Sequence, residues 1–128
     1  MTRKIKVLIV EDDRINQMVL SKMLELRGIT TVCVSDGFEA VKYFGEHDDL
    51  DIVLMDIQLP GMDGIETAAK MRKIEENKVK RTPIVALTAY FSTGNESEFL
   101  SQDFDDHAVK PVDYEFLIRL IKKHTIAS

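Results

Sequence analysis

The middle of the chain reads Ile52-Val53-Leu54-Met55-Asp56, four apolar residues followed directly by an aspartate. A short continuous apolar run with β-branched residues is typical of a strand buried on both faces, as in a parallel sheet. Four further runs of this kind recur, the last of them weaker. They are Val7–Val10, Thr31–Val34, Ile84–Leu87 and His107–Val109.

Segments of helical period separate these runs. The first predicted helix ends near Gly28, and the second spans 37–45 after an Asp36 N-cap. The other three cover about Gly64–Glu75, Asn95–Ser101 and Tyr114–Lys123. Strands that alternate with helices imply parallel pairing, with helices on both faces of one sheet and right-handed crossovers. The sequence therefore predicts an α/β fold of five β-α units in three layers, with a polar surface loop at 76–81.

Apolar residues at helical spacing predict the buried sides of these helices. They are Ile15, Met18, Val19, Met23, Leu24 and Leu26 in the first helix; Phe38, Ala40, Val41 and Phe44 in the second; Ile65, Ala68, Ala69, Met71 and Ile74 in the third; and Phe116, Leu117, Leu120 and Ile121 in the last. Cys33 lies in an apolar run and is predicted to be part of the core. As the lone cysteine it can form no intrachain disulfide, which fits a reducing compartment.

Size and composition indicate one ordinary domain of 128 residues. The formal net charge of −5 disfavours nucleic acid as a direct partner, because phosphate binding depends on Lys and Arg. No segment approaches the ~18 to 20 apolar residues of a membrane span. The basic N-terminus leads into a run of only Val7–Val10, too short for an export signal. We therefore expect a cytoplasmic protein that binds neither DNA nor membrane.

Acidic residues follow two of the predicted strands. Glu11, Asp12 and Asp13 come after the first strand and Asp56 after the third, and ligands of open parallel sheets bind beyond the carboxyl ends of strands. Carboxylates that share a cleft raise one another's pKa, and a divalent cation relieves this repulsion. Few, hard oxygen ligands favour Mg²⁺ over zinc. We interpret Asp13 as a helix cap rather than a ligand.

The acidic turn also argues against two other kinds of site found on such folds. A flavin or dinucleotide site needs a turn rich in Gly, Ser or Thr, whose N–H groups hold phosphate at the start of the first helix. Here that turn is Glu11-Asp12-Asp13, which would repel phosphate.

Four segments together resemble the response-regulator receiver family. They are residues 8–17 (LIVEDDRINQ), 54–64 (LMDIQLPGMDG), 83–89 (PIVALTA) and 109–111 (VKP). Each lies at a predicted strand end, in the family's order, and the resemblance extends from Val7 to about Leu120. The first and third strands' motifs are most similar to receivers attached to hybrid histidine kinases. The resemblance implies a flavodoxin-like sheet of order 2-1-3-4-5.

The resemblance also implies roles for particular residues. Asp56 would accept a phosphoryl group from phosphohistidine. Asp12, Asp56 and the backbone carbonyl of Gln58 would bind Mg²⁺ directly, and Glu11 would hold it through water. Lys110, together with Mg²⁺, would neutralise charge on the phosphoryl oxygens.

Thr88 would turn to bond the attached phosphoryl group; taken alone, a threonine at this place is also found as an ordinary helix cap. In many relatives an aromatic residue three places before the lysine moves with the threonine; here His107 stands there, either as a switch or as a fixed surface residue. Gln58 and Tyr90 would set the rate of dephosphorylation. A glycine usual before the fifth strand is replaced by Asp103.

A receiver needs a sensor histidine kinase or a histidine phosphotransfer protein as partner. Ile15 and Met18, with Pro111, are candidates for an apolar docking patch, unless the first two face the core. The Lys110–Pro111 peptide bond is a candidate for the cis form. The chain would be either a single-domain regulator or part of a hybrid kinase, and in both cases a switch rather than an enzyme.

Two other functions compete with this interpretation. A Mg²⁺-dependent phosphohydrolase with an Asp nucleophile, of the haloacid-dehalogenase type, would carry its nucleophile after the first strand and usually a cap domain. An unphosphorylated pseudo-receiver would act only as a binding module. The presence of Glu11, Asp12, Asp56, Thr88 and Lys110 together argues against the second alternative.

Overall fold

The computed structural model describes residues 4–89 and 103–125, and the helix predicted at 95–101 lies outside them. Five strands form one parallel sheet in the order β2-β1-β3-β4-β5, which confirms the predicted topology. The strands are β1 Lys6–Val10, β2 Thr30–Val34, β3 Ile52–Asp56, β4 Ile84–Thr88 and β5 Asp106–Val109. The described helices are α1 Arg14–Glu25, α2 Gly37–Glu46, α3 Gly64–Glu75 and α4 Tyr114–Thr125. None of these helices is long and apolar enough to cross a membrane.

The sheet separates two apolar layers, as the three-layer prediction requires. Val7 and Ile9 of β1 pack on one face with α1 and α4, while Leu8 and Val10 pack on the other face with α2 and α3. Successive strand side chains point to opposite faces, so a strand between two helical layers must be apolar throughout. All five residues of β3 are buried, including Asp56 at its end.

The predicted buried side of α1 is wrong in most positions. Leu20 and Leu24 are the buried residues of this helix, whereas Ile15 is 71% exposed and Met18 is 67% exposed. Val19 and Leu26 are exposed as well. Apolar residues occupy more than one side of α1, so their spacing alone did not identify the side that meets the sheet.

Single positions of the other helices also differ from the prediction. Phe38 of α2, Ala69 of α3 and Phe116 of α4 are exposed, while their helices bury other predicted positions such as Phe44 and Leu117. Cys33, predicted to be core, is exposed too. It lies on β2, which among the described strands pairs with β1 alone and forms the edge of the sheet, so this strand is incompletely covered.

All four described helices begin at the edge where the strands end, and an aspartate precedes each one. Asp13, Asp36 and Asp63 are N-caps of α1, α2 and α3, each accepting a hydrogen bond from a backbone N–H three residues on. Asp113 accepts in the same way from the N–H of Phe116. Such caps satisfy N–H groups that the helix leaves unpaired, and the negative charge favours the positive end of the helix dipole.

The opposite edge of the sheet is held by Arg72 of α3. Its guanidinium donates to the carbonyl oxygens of Thr82, at 2.8 Å, and Asp103, at 2.8 Å from Nη2 and 3.0 Å from Nε. It also pairs with the Asp105 carboxylate at 2.8 Å. Arg72 thereby joins α3 to the segments that enter β4 and β5.

Candidate phosphorylation site

Parallel pairing of β1 with β3 brings the acids of the two strand ends together. Val10 pairs with Met55, so the residues that follow them, Glu11 and Asp56, are neighbours at the carboxyl edge. One oxygen from each of Glu11, Asp12 and Asp56 lies within 4.8 Å of the others. Glu11 is 4% exposed and Asp56 is 3% exposed, while Asp12 is open to solvent. The arrangement is a half-enclosed triad of carboxylates.

Lys110 supplies positive charge to this triad. Its Nζ lies 2.8 Å from Asp56 Oδ2 and 3.7 Å from Glu11 Oε1. The residue follows β5, and its backbone N–H donates to the carbonyl of Thr88 at 2.7 Å. The Lys110–Pro111 peptide bond is cis, as anticipated from the sequence. One lysine thus faces two buried carboxylates.

Backbone N–H groups bind the other carboxylate oxygens. Asp56 Oδ1 accepts from the N–H of Gln58 at 3.0 Å, and Glu11 Oε2 accepts from the N–H of Asp13 at 3.0 Å. Burial raises the pKa of Glu11 above its ordinary value, and the charge of Asp56 adds to this effect, while the Asp13 N–H and the Lys110 ammonium act in the opposite direction. The site therefore holds more negative charge than it neutralises by itself.

Gly64 allows α3 to begin directly against the end of β3. Its N–H donates to the carbonyl of Ile57 at 2.9 Å, and a Cβ at this position would lie 2.4 Å from the carbonyl oxygen of Asp56. Gly61, in the same connection, has φ +76°, a conformation that favours glycine. This geometry fixes the backbone of Asp56.

Thr88 ends β4 and is 1% exposed. Its hydroxyl oxygen has no hydrogen-bond partner within the described residues. Buried polar groups are nearly always paired, because an unpaired one loses its hydration without compensation. β4 lies beside β3, where Leu87 pairs with Asp56. Thr88, which carries the unpaired hydroxyl, is thus the residue directly after Leu87, the strand partner of Asp56.

The remaining predicted site residues are less closely associated with the triad. His107 is half-buried on β5 and pairs with Ala86, two residues before Thr88. Gln58 has an exposed side chain beside Asp56. Tyr90 lies outside the described residues. The docking candidates Ile15, Met18 and Pro111 are all exposed.

Gln17 contacts the site but was not predicted from the sequence. Its Nε2 donates to the carbonyl oxygen of Glu11 at 2.5 Å and to that of Val34 at 3.1 Å. A glutamine in the second turn of a helix carries no pattern that would indicate such contacts, because they depend on how α1 packs beside β2.

The fold and site define a class of doubly wound α/β proteins with an acidic carboxyl edge, and comparison with known proteins identifies the family. The model of the response regulator receiver domain matches residues 7–122. The chain therefore belongs to the response regulator receiver domain family, whose members act as signalling switches in two-component systems. This membership sets aside the phosphohydrolase alternative.

A curated relative is hybrid signal transduction histidine kinase I of Dictyostelium discoideum, 34% identical over 120 residues. The match covers 91% of this chain and only 7% of that kinase.

Two solved structures are also similar. The receiver domain of sensor histidine kinase PA1611 from Pseudomonas aeruginosa, with magnesium coordinated in its active-site cleft, has TM-score 0.85 and 32% identity, covering 98% of this chain and all of that one. A co-crystal structure of the Saccharomyces cerevisiae histidine phosphotransfer protein Ypd1 with the receiver domain of Ssk1 matches with TM-score 0.86 and 35% identity, covering 98% of this chain and 92% of that one.

Proposed function

We propose that this receiver accepts a phosphoryl group on Asp56 from the phosphohistidine of a sensor histidine kinase or a histidine phosphotransfer protein, with Mg²⁺ as cofactor. One observation carries the proposal: the Asp56 carboxylate lies beside two further carboxylates and 2.8 Å from the Lys110 ammonium. Phosphoryl transfer to a carboxylate needs cationic groups that face the transferred group. This site supplies one cation, the Lys110 ammonium, and its carboxylates attract a second, Mg²⁺.

The donor set fits a magnesium ion. Asp12, Asp56 and the carbonyl of Gln58 are the proposed direct ligands, with Glu11 acting through water. They offer hard oxygen atoms, and the exposure of Asp12 leaves the site open to water and phosphoryl oxygens. When bound, Mg²⁺ supplies positive charge that offsets the negative charge of the phosphoryl oxygens. The magnesium ion in the cleft of the similar PA1611 receiver supports this assignment.

The chemical step is a displacement at phosphorus. An Asp56 carboxylate oxygen forms the new bond to phosphorus, the bond from phosphorus to the histidine nitrogen breaks, and the nitrogen keeps the electron pair. Oδ1 accepts a hydrogen bond from the N–H of Gln58, and Oδ2 faces Lys110. Lys110 stabilises the carboxylate beforehand and the phosphoryl oxygens during transfer.

The unpaired Thr88 hydroxyl is the proposed sensor of the product. Once Asp56 carries a phosphoryl group, that hydroxyl gains a strong acceptor, and a hydrogen bond to a charged acceptor is worth about 1.5 to 3 kcal/mol. Movement of Thr88 would then shift the segment that follows β4. His107 is either coupled to this movement or fixed on β5, and Gln58 and Tyr90 are proposed to tune dephosphorylation.

Docking of the phosphohistidine partner is proposed at the exposed residues Ile15 and Met18 of α1, together with Pro111. A crevice of about 270 Å³ opens between this helix and the segment after β5, and Glu11 and Lys110 line it. Asn16 and Leu20 are the residues of α1 that line this crevice, so Pro111 adjoins the acidic triad directly, whereas Ile15 and Met18 lie on the same helix outside the crevice. The complex of Ypd1 with a similar receiver domain supports a partner of this kind.

Phosphorylation by acetyl phosphate tests the chemistry without a partner. Incubation with acetyl phosphate and Mg²⁺ is expected to add one phosphoryl group, measured by intact-mass spectrometry, and EDTA or Asp56→Asn is expected to prevent this. Asp13→Asn is the matched control, because it removes another acid of the same edge and keeps a capping side chain. Labelling of Asp56→Asn at the wild-type level would reject Asp56, and an unlabelled wild type would favour the pseudo-receiver.

Transfer from a phosphorylated histidine phosphotransfer protein tests the docking surface. Ile15→Ala with Met18→Ala is expected to slow transfer at least tenfold while leaving labelling by acetyl phosphate unchanged, since each buried anchor of an interface is worth about 1 kcal/mol or more. Leu26→Ala is the control, as Leu26 is equally exposed just beyond the other end of α1. Equal slowing by Leu26→Ala would contradict this placement.

A further inference from the structure

Gln17 links the acidic turn to a neighbouring strand. The carbonyl oxygen of Val34, at the end of β2, accepts hydrogen bonds from the backbone N–H of Glu11 and from Gln17 Nε2, both at 3.1 Å. The same Nε2 lies 2.5 Å from the carbonyl oxygen of Glu11. Glu11 is thus held through both its N–H and its C=O, and one side-chain amide completes the connection.

The carbonyl that Gln17 binds belongs to the peptide group between Glu11 and Asp12. Rotation of a peptide plane changes ψ of the residue before it and φ of the residue after it, and these are the two soft torsions of the backbone. If the two torsions changed together, only the peptide group would turn, but a free carbonyl would also let ψ of Glu11 and φ of Asp12 change independently, and this would reorient the side chain of Asp12 relative to that of Glu11. Holding the carbonyl keeps their oxygens within reach of Asp56.

We infer that Gln17 is a positioning residue for the magnesium site, acting through the Glu11–Asp12 peptide group. The inference rests on the proposed function, because it assumes that the triad binds Mg²⁺. Gln17 itself does not reach the ion's proposed ligand oxygens. A purely structural role for Gln17, as a tie between α1 and β2, would lower stability without changing the affinity for Mg²⁺.

Ser21 provides a matched control for that distinction. It lies one turn further along α1, and its hydroxyl is 2.5 Å from the hydroxyl of Thr31 on β2. Ser21→Ala therefore removes a hydrogen bond between the same two elements without touching the acidic turn. Gln17→Met removes the amide and keeps the length of the side chain and its preference for helix.

The experiment measures the dissociation constant of Mg²⁺ by calorimetry and the unfolding midpoint in urea with EDTA. Gln17→Met is expected to weaken Mg²⁺ binding about fivefold, the factor that corresponds to one typical hydrogen bond. Ser21→Ala is expected to leave the dissociation constant of Mg²⁺ within twofold of the wild type, while it lowers the unfolding midpoint about as much as Gln17→Met does. Unchanged Mg²⁺ affinity in Gln17→Met would overturn the inference, whereas a wild type that binds no Mg²⁺ would overturn the proposed function itself.

A second measurement uses the wild-type protein alone. Hydrogen exchange of side-chain amides is followed by NMR, with Gln58 as the comparison because its side chain is exposed. The Gln17 amide is expected to exchange at least tenfold more slowly than the Gln58 amide in EDTA. Equal exchange would show that the Gln17 hydrogen bonds do not persist in solution, and the positioning role would fail.

Discussion

Replacing Gly64 with alanine perturbs the backbone that carries the phosphoacceptor. The new Cβ would lie 2.4 Å from the carbonyl oxygen of Asp56 and 2.8 Å from Cα of Ile57. Non-bonded carbon atoms are most favourable at about 3.5 to 4.0 Å. The contact with Cα of Ile57 is far inside that distance and the contact with the Asp56 oxygen is shorter still, so both are strongly repulsive. Both neighbours are backbone atoms of the β3 end, and neither can rotate away as a side chain would.

Two opposing effects set the magnitude. Alanine is favoured over glycine within a helix by about 0.5 to 1 kcal/mol. Inserting a methyl group into a tightly packed position typically costs about 1 to 3 kcal/mol, and a clash with backbone belongs at the upper end of that range. We therefore expect Gly64→Ala to lower the free energy of unfolding by about 2 kcal/mol, from the difference of the two effects.

Gly45→Ala is the matched control, because it makes the same substitution in α2 without a clash. Its Cβ would meet only Cδ1 of Ile74, at an ordinary 3.7 Å. Here the helix preference of alanine acts alone and is expected to raise stability by about 0.5 kcal/mol. Urea unfolding followed by circular dichroism measures both variants under identical conditions.

The signs of the two changes decide the outcome. If Gly64→Ala were as stable as the wild type, or were stabilised like Gly45→Ala, the close approach of α3 to β3 would not exist in solution. Because the clash displaces the Asp56 backbone, Gly64→Ala is also expected to accept phosphoryl groups from acetyl phosphate at least tenfold more slowly, while Gly45→Ala is not.

Three further predictions concern other features. Thr88→Val removes the unpaired buried hydroxyl and is expected to raise the thermal stability of the unphosphorylated protein by about 1 kcal/mol; lower stability would mean that the hydroxyl is paired. Burial is the strongest influence on Asp106 and acts to raise its pKa, but hydrogen bonds from His124 and the His107 N–H leave that pKa lowered overall. Asp106 therefore stabilises the folded protein at pH values above 3.8, and Asp106→Asn is expected to lower the stability to urea at pH 7 by about 0.5 kcal/mol. The difference from the wild type is expected to shrink as pH falls below 3.8 through the lowered pKa of the folded state, and a difference that grew over this range would contradict the sign. Arg72→Met is expected to lower the free energy of unfolding by about 3 kcal/mol, because the Arg72 side chain is only 11% exposed and leaves buried partners behind. Arg81→Met removes a 52% exposed partner of the same Asp105 and is expected to cost under about 1 kcal/mol. Equal losses in thermal unfolding would contradict this ranking.

The strands were predictable because burial on both faces leaves a strong signal. Runs such as 52–56 contain nothing but apolar residues until the chain reaches the edge of the sheet, where acids follow. The proximity of Glu11 to Asp56 could be predicted once the strand order was given. That order came from the resemblance, since periodicity does not say which strands pair.

Features that depend on packing direction were not predictable in the same way. Ile15 and Met18 have the apolar character of core residues, yet Leu20 and Leu24 face the sheet. Cys33 belongs to an apolar run, but its strand lies at the edge of the sheet. The contacts of Gln17 join α1 to β2 and to the turn after β1. In each case the sequence records the chemistry of a residue but not the neighbour that it meets.

The aspartate that precedes each described helix has a consequence for the whole molecule. Asp13, Asp36, Asp63 and Asp113 stand at one end of the helices, while α1, α3 and α4 carry lysine or arginine in their last turns. The starts of the described helices, at the phosphoacceptor edge, are therefore acidic, while the ends of three of them carry cations. Amine coupling to a biosensor chip through the lysines of these last turns, Lys22, Lys73, Lys122 and Lys123, is therefore expected to leave Asp56 facing the flow.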